Sequence, residues 1–186
     1  MKWFVGLDIP EAIRRELVHV QEQLRRFDTS ANYEPAENFH LTLRYIGETA
    51  NVEPIAAGLE RIEWPAFRLG LRRLGMFHNP DRNVVWVDVR DEGDNLRPLR
   101  NRIDGLLALA GVPADGYSFV PHISLAYDCR PSLSDHFSSC SVAPLTFVVD
   151  RFYLFAVHPA SEGNRFAKSR EFPLIREGGG PWPASP

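Results

Sequence analysis

Phe39-His40-Leu41-Thr42-Leu43-Arg44-Tyr45 and Pro121-His122-Ile123-Ser124-Leu125-Ala126-Tyr127 carry one pattern twice: histidine, apolar, hydroxyl, apolar, with a tyrosine at the end. Successive side chains of a strand point to opposite faces, so His40 and Thr42 share one face while Leu41 and Leu43 take the other. His122 and Ser124 repeat the arrangement. At a rise of about 3.3 Å per residue the imidazole and hydroxyl stand about 7 Å apart along the strand, close enough to grip one tetrahedral anion. Strict alternation also turns Arg44 toward the face of His40 and Thr42, and puts Tyr45 and Tyr127 on the face opposite their histidines.

A single His-x-Ser/Thr is weak evidence, since a half-buried strand histidine with a hydroxyl neighbour would look the same. Two copies in the same strand context, in opposite halves of the chain, outweigh that reading. A third match, His136-Phe137-Ser138, has no apolar residue after the hydroxyl and lies in the polar run Ser134 to Ser139, which reads as a turn or helix start. It is a decoy.

Outward from the motifs, apolar positions recur every three or four residues in three places. Ile13, Leu17, Val20, Leu24 and Phe27 mark a helix from Glu11, with Pro10 at its first turn. Ile55, Leu59 and Ile62 mark a second, and Leu96, Leu99, Ile103, Leu106 and Leu107 a third that ends at Gly111. Strand-like stretches cover residues 2–8, 67–74 and 83–89, then 145–157 and 165–175 as two long strands. Tight turns join several of these, so the class is α+β with mostly antiparallel sheets flanked by helices. A helix followed by a motif strand occurs twice, which implies a duplicated unit and two intertwined lobes. Residues 1–176 are expected to form one domain and 177–186, with Gly178-Gly179-Gly180-Pro181, a flexible tail.

A chain of 186 residues, 44% hydrophobic, can bury a substantial core. A net charge of −3 excludes a protein that coats nucleic acid by charge alone, although a local basic cleft is compatible with it. Cys129 and Cys140 are too few for a disulfide scaffold, and no secretory leader or apolar run of membrane length is read, so a cytoplasmic protein with free thiols and no membrane partner is expected. The six histidines show no His-x-x-x-His spacing and there is no Cys-x-x-Cys. Cys129, His136 and Cys140 would make a poor metal set, so no metal or other cofactor is expected.

The paired motifs resemble those of the two-histidine (2H) phosphoesterases, and most closely the bacterial and archaeal RNA 2′,3′-cyclic phosphodiesterases, also called LigT-like proteins or 2′-5′ RNA ligases. The opening Trp3 to Pro10, the approach Pro35 to Phe39, the exit Tyr45 to Glu48, Gly75 to Pro80 and Glu171 to Leu174 extend the resemblance over most of the chain. It implies a bilobal fold of pseudo-twofold symmetry, with the motif strands side by side across a central cleft. It further implies His40 as proton donor and His122 as proton acceptor, with Thr42 and Ser124 binding the substrate phosphate. The implied activity is hydrolysis of RNA 2′,3′-cyclic phosphate ends to 2′-phosphates, with 2′-5′ ligation as its reverse.

Two histidines suit that chemistry. One can take a proton from water while the other protonates the leaving oxygen, and hydroxyls can bond the non-bridging oxygens. The implied partner is RNA with a cyclic phosphate end, or a related cyclic nucleotide, met by a monomer. Two alternatives stand beside this: a cyclic phosphodiesterase of small nucleotides or sugar phosphates, and a non-catalytic module that binds RNA ends. The chain departs from the family at Tyr127, where H-x-T-L-x-R would place an arginine. Tyr127 and Arg44 are therefore further phosphate-binding candidates, Arg44 as the cation that compensates.

Overall fold

The computed structural model describes residues 1–160 and 163–176. The tail expected at 177–186 lies outside them. Strands β1 (Lys2–Asp8), β3 (His40–Glu48), β8 (Arg151–Pro159) and β9 (Asn164–Pro173) form one sheet in the order β3-β1-β8-β9. Strands β2 (Asn32–Tyr33), β4 (Phe67–Phe77), β5 (Val84–Asp91), β6 (His122–Tyr127) and β7 (Thr146–Val149) form the other, in the order β2-β6-β5-β4-β7. Every pairing within the sheets is antiparallel. The α+β class, the two lobes and their pseudo-twofold relation are as expected.

The expected long strand over residues 145–157 is two strands. β7 pairs with β4 in the second sheet, and after Asp150 the chain enters β8, which pairs with β1 in the first. Both halves of the stretch alternate in the strand period, so periodicity alone cannot reveal that the chain changes sheets. Residues 131–139, within the stretch 131–141 expected as a loop or one helical turn, form a 3-10 helix.

Among the described residues three α-helices cover the sheets: α1 (Glu11–Arg25), α2 (Glu53–Leu59) and α3 (Leu96–Leu109). α1 buries Ile13, Leu17, Val20 and Leu24, the stripe its sequence spells. Leu17 has no solvent exposure, so Leu17→Ala should cost about 2–5 kcal/mol. α3 begins where the Asp91 carboxylate accepts the Leu96 N–H, satisfying a donor that the first turn leaves free. The helices are exchanged between lobes. α1 lies against β6 of the second sheet, and α3 against β3 of the first.

The duplication can be followed residue by residue. Asp8, Leu7, Gly6 and Val5 of β1 oppose His40, Leu41, Thr42 and Arg44 of β3. Asp88, Val87, Trp86 and Val85 of β5 oppose His122, Ile123, Ser124 and Ala126 of β6. Each register skips the residue three after the histidine, so Leu43 and Leu125 are the extra residues of equivalent β-bulges. A bulge withdraws backbone groups from the ladder, and here both carbonyls find helix side chains. Arg100 of α3 donates to the Leu43 carbonyl at 3.1 Å, and buried Gln21 of α1 donates to the Leu125 carbonyl at 2.8 Å. The exchanged helices thus each fasten the other lobe's motif strand. One pair of positions inverts bulk: Gly6 faces Tyr153 in the first sheet, while Trp86 faces Gly75 in the second and leaves no room there for a Cβ.

Candidate active site

The first residues of the motifs behave as alternation requires. His40 and Thr42 lie on one face, with Nε2 of the imidazole 3.1 Å from the threonine Oγ1. The other ring nitrogen, Nδ1, stands 2.6 Å from the Asn38 carbonyl, which can only accept, so Nδ1 carries a proton and Nε2 is left to face the cleft. His122 copies this with Nδ1 2.7 Å from the Val120 carbonyl. Both imidazoles are therefore oriented by the backbone two residues upstream. Both rest on aromatic rings: His40 against Phe4 and the edge of Phe166, His122 against the edge of Phe77 and the Trp86 ring.

The brace behind His40 is the stronger of the two. Asn38 is buried, and its side-chain amide donates to Glu34 and to the Asn164 carbonyl, each at 2.7 Å. Its carbonyl oxygen Oδ1 accepts the Phe166 N–H at 3.4 Å. Val120 behind His122 is exposed. Burial pushes the His40 imidazole down to about 4; the Asn38 carbonyl opposes it in part, and the weaker effects of a positive His122 across the cleft and of Asp8 act in opposite directions. Burial lowers His122 as well. Asp8 and Asp88, opposite the two histidines, each hold cations: Arg14 and Lys168 on Asp8, and Arg72 and Arg73 on Asp88.

Beyond the bulges the alternation breaks, and three expectations change with it. The extra residue at Leu43 turns Arg44 into the interior, where it is 4% exposed and its Nε bonds Asp104 at 2.6 Å, with Asp115 at 3.7 Å and the Tyr45 and Pro113 carbonyls taking its other nitrogens. It is tied into α3 and the following loop, at the position that Ala126 occupies in the other lobe, so it lines the cavity of Thr42 and His122 as an ion-paired group and not as the spare cation expected. The same extra residue brings Tyr45 and Tyr127 round to the faces of their histidines. Tyr45 shares a cavity wall with Thr42 and His122, and the Tyr127 phenol has Ser124 and Glu34 beside it. Burial raises the Tyr127 hydroxyl to about 12, so it stays protonated as a donor. A guanidinium does stand at this place, but it comes from Arg82, 4.4 Å above the Tyr127 ring and paired with Asp128 at 3.1 Å. Nothing in the Asn79-Pro80-Asp81-Arg82 turn signals this, because the contact depends on which strands become neighbours.

Comparison with known proteins bears on this geometry. The model of the 2′-5′ RNA ligase superfamily matches residues 9–158, most of the chain. The chain belongs to that superfamily. Its relatives include the RNA 2′,3′-cyclic phosphodiesterase of Thermus thermophilus, 35% identical over 142 residues, 71% of each chain. The protein of the same name from Aeropyrum pernix is 43% identical over 95 residues, 48% of this chain and 53% of that one. A crystal structure of a Thermus thermophilus protein has the same fold, with a TM-score of 0.75 at 25% identity over 94% of this chain and 98% of that one.

In this superfamily member the motif strands are flanked by two cavities. One of about 130 Å³ lies on the His40 side, among Glu34, Asn38, Arg82, Tyr127, Asn164 and Phe166. The other, of about 230 Å³, includes Thr42 and His122 themselves. His136, the decoy, stacks on Phe27 at 4.3 Å. Cys129 and Cys140 are free, and among the described residues no three Asp, Glu, His or Cys side chains gather into a metal-binding group. No helix among the described residues is long and apolar enough to cross a membrane.

Proposed function

We propose that this chain hydrolyses the 2′,3′-cyclic phosphate end of RNA to a 2′-phosphomonoester by acid–base catalysis from His40 and His122. One observation carries the proposal: two H-x-[TS] strands repeat the same register, the same bulge and the same imidazole orientation, so that each presents an Nε2 and a hydroxyl to the cleft. The relatives' name supports the choice of substrate.

His122 takes the proton of an attacking water, whose oxygen bonds phosphorus. The bond from phosphorus to the 3′-oxygen breaks, and His40 protonates that oxygen. Thr42 and Ser124 hydroxyls donate to the non-bridging oxygens, where charge has to be held. In the free site burial disfavours a charged imidazole, and the anionic substrate reverses this: a negative phosphate beside His40 favours its protonated form. Arg82, standing on the Tyr127 ring, supplies the cation that the family pattern places at position 127. Run backwards, with a 5′-hydroxyl in place of water, the same residues make a 2′-5′ phosphodiester.

The test is the substitution of each histidine. His40→Ala and His122→Ala should each lower turnover on a cyclic-phosphate RNA by about 10² to 10⁴-fold, with unchanged unfolding midpoints, whereas His136→Ala should keep nearly full activity. Loss of activity in His136→Ala beside an active His40→Ala protein would overturn the assignment.

A further inference from the structure

The two cavities beside the histidines differ in kind. The His40-side cavity is lined mostly by hydrogen-bonding groups, with Phe166 beside them, while the His122-side cavity gathers the rings of Tyr45, Tyr117 and Phe119 next to Arg44, Arg100 and Asp115. Phe119 is a fixed surface. It packs on the core, it lies 5.0 Å below the Arg100 guanidinium, and its carbonyl accepts from Arg97 at 3.3 Å. Arg100 is itself fastened by both oxygens of Asp115, at 3.0 and 3.1 Å. Tyr45 and Tyr117 are 46% and 81% exposed, with Thr42 and His122 in the wall beside them. A water molecule attacking from the His122 side needs none of this. A ring of similar size to a nucleobase would cover these faces, since bases stack on aromatic side chains irrespective of sequence.

We infer that the His122-side cavity is the subsite for the nucleoside carried by the oxygen that His122 handles, that is, the 5′-linked nucleoside of a 2′-5′ phosphodiester, with its base against Phe119 and Tyr45. The inference rests on the roles given to the histidines under the proposed function. In cleavage the neighbouring 3′-hydroxyl oxygen bonds phosphorus and gives its proton to His40. The bond from phosphorus to the 5′-oxygen breaks, and His122 protonates that oxygen, leaving a 2′,3′-cyclic phosphate and a free nucleoside. Ligation is the same step reversed, and neither direction needs an oxidant, reductant or nucleotide cofactor.

The measurement compares kcat/KM of the full-length protein for 2′-5′-linked adenylyl-adenosine and for the same compound lacking the second base. Hydrolysis of adenosine 2′,3′-cyclic phosphate is followed in parallel. The base should improve kcat/KM about tenfold or more, chiefly through KM. Phe119→Ala should shrink that advantage to under about threefold, and Phe119→Trp should keep it. Equal cleavage of the two compounds by the unaltered protein, or an advantage that survives both Phe119→Ala and Tyr45→Ala, would overturn the subsite. Failure to hydrolyse adenosine 2′,3′-cyclic phosphate would instead remove the proposed function and the subsite with it.

Discussion

Burying His40 should make the protein sensitive to mild acid in a way that one substitution relieves. In the folded chain its imidazole is pushed from the ordinary 6.5 to about 4, mainly by burial. As pH falls below 6.5 the unfolded chain takes up a proton that the folded chain refuses, so stability declines, and the loss levels off below about 4, where both forms are charged. At about 1.4 kcal/mol per pH unit the cost is about 3 kcal/mol. Carboxylates contribute their own acid losses, but these are common to a variant that lacks only this imidazole. Urea unfolding of the unaltered protein and of His40→Asn at pH 7.5 and pH 4 should therefore show the variant losing about 3 kcal/mol less over that interval. A saturating nucleoside 2′-monophosphate should narrow the difference, because its charge favours the imidazolium. Parallel loss in both proteins would refute the reasoning, and with it the view that substrate binding sets the protonation state of His40.

Further outcomes follow from the surroundings of the site. Arg82→Ala should raise KM for a short cyclic-phosphate RNA and flatten its salt dependence with little change in kcat, whereas Arg44→Met should lower stability by about 1–3 kcal/mol, because the Tyr45 and Pro113 carbonyls lose their donor and Asp104 and Asp115 keep only Arg100 as an ion-pair partner; both are read from steady-state kinetics and denaturant midpoints. Gln21→Leu should cost about 1–3 kcal/mol in urea unfolding, because the Glu34 and Leu125 carbonyls lose the amide that bridges them and Leu125 is left with the Glu34 N–H alone. Asn38→Ala, which removes the side-chain bonds to Glu34, Asn164 and Phe166 that hold the carbonyl behind His40, should lower kcat more than it raises KM and shift the acid limb of the pH profile, while Val120→Ala, at an exposed side chain, should leave that limb in place.

The motif faces, the three helices and the class of the fold were legible in the sequence because each follows from a local period: two residues for His40 and Thr42, three and four for Ile13, Leu17, Val20 and Leu24. The duplication into two lobes was legible through the repeated motif, and their pseudo-twofold relation through the family resemblance. What escaped was non-local. Alternation places Arg44 correctly only if no extra residue intervenes, and the bulge at Leu43 is held by Arg100, far along the chain. The change of sheet at Asp150 leaves the pattern of apolar residues intact on both sides. Asn38, the support of His40, lies two residues from the motif, but its importance comes from Glu34 and Asn164, which no spacing brings together. Arg82 lies in the turn between β4 and β5, and its place on the Tyr127 ring depends on β5 pairing with β6, which no local pattern sets.

On the proposed mechanism two equivalent histidines open a 2′,3′-cyclic phosphate without a metal ion. The most direct test incubates an RNA ending in a 2′,3′-cyclic phosphate with the protein in EDTA and maps the phosphate of the product. The expected result is a 2′-phosphate, formed at an undiminished rate and lost in His40→Ala and His122→Ala. A 3′-phosphate product, or activity that EDTA abolishes and zinc or manganese restores, would contradict it.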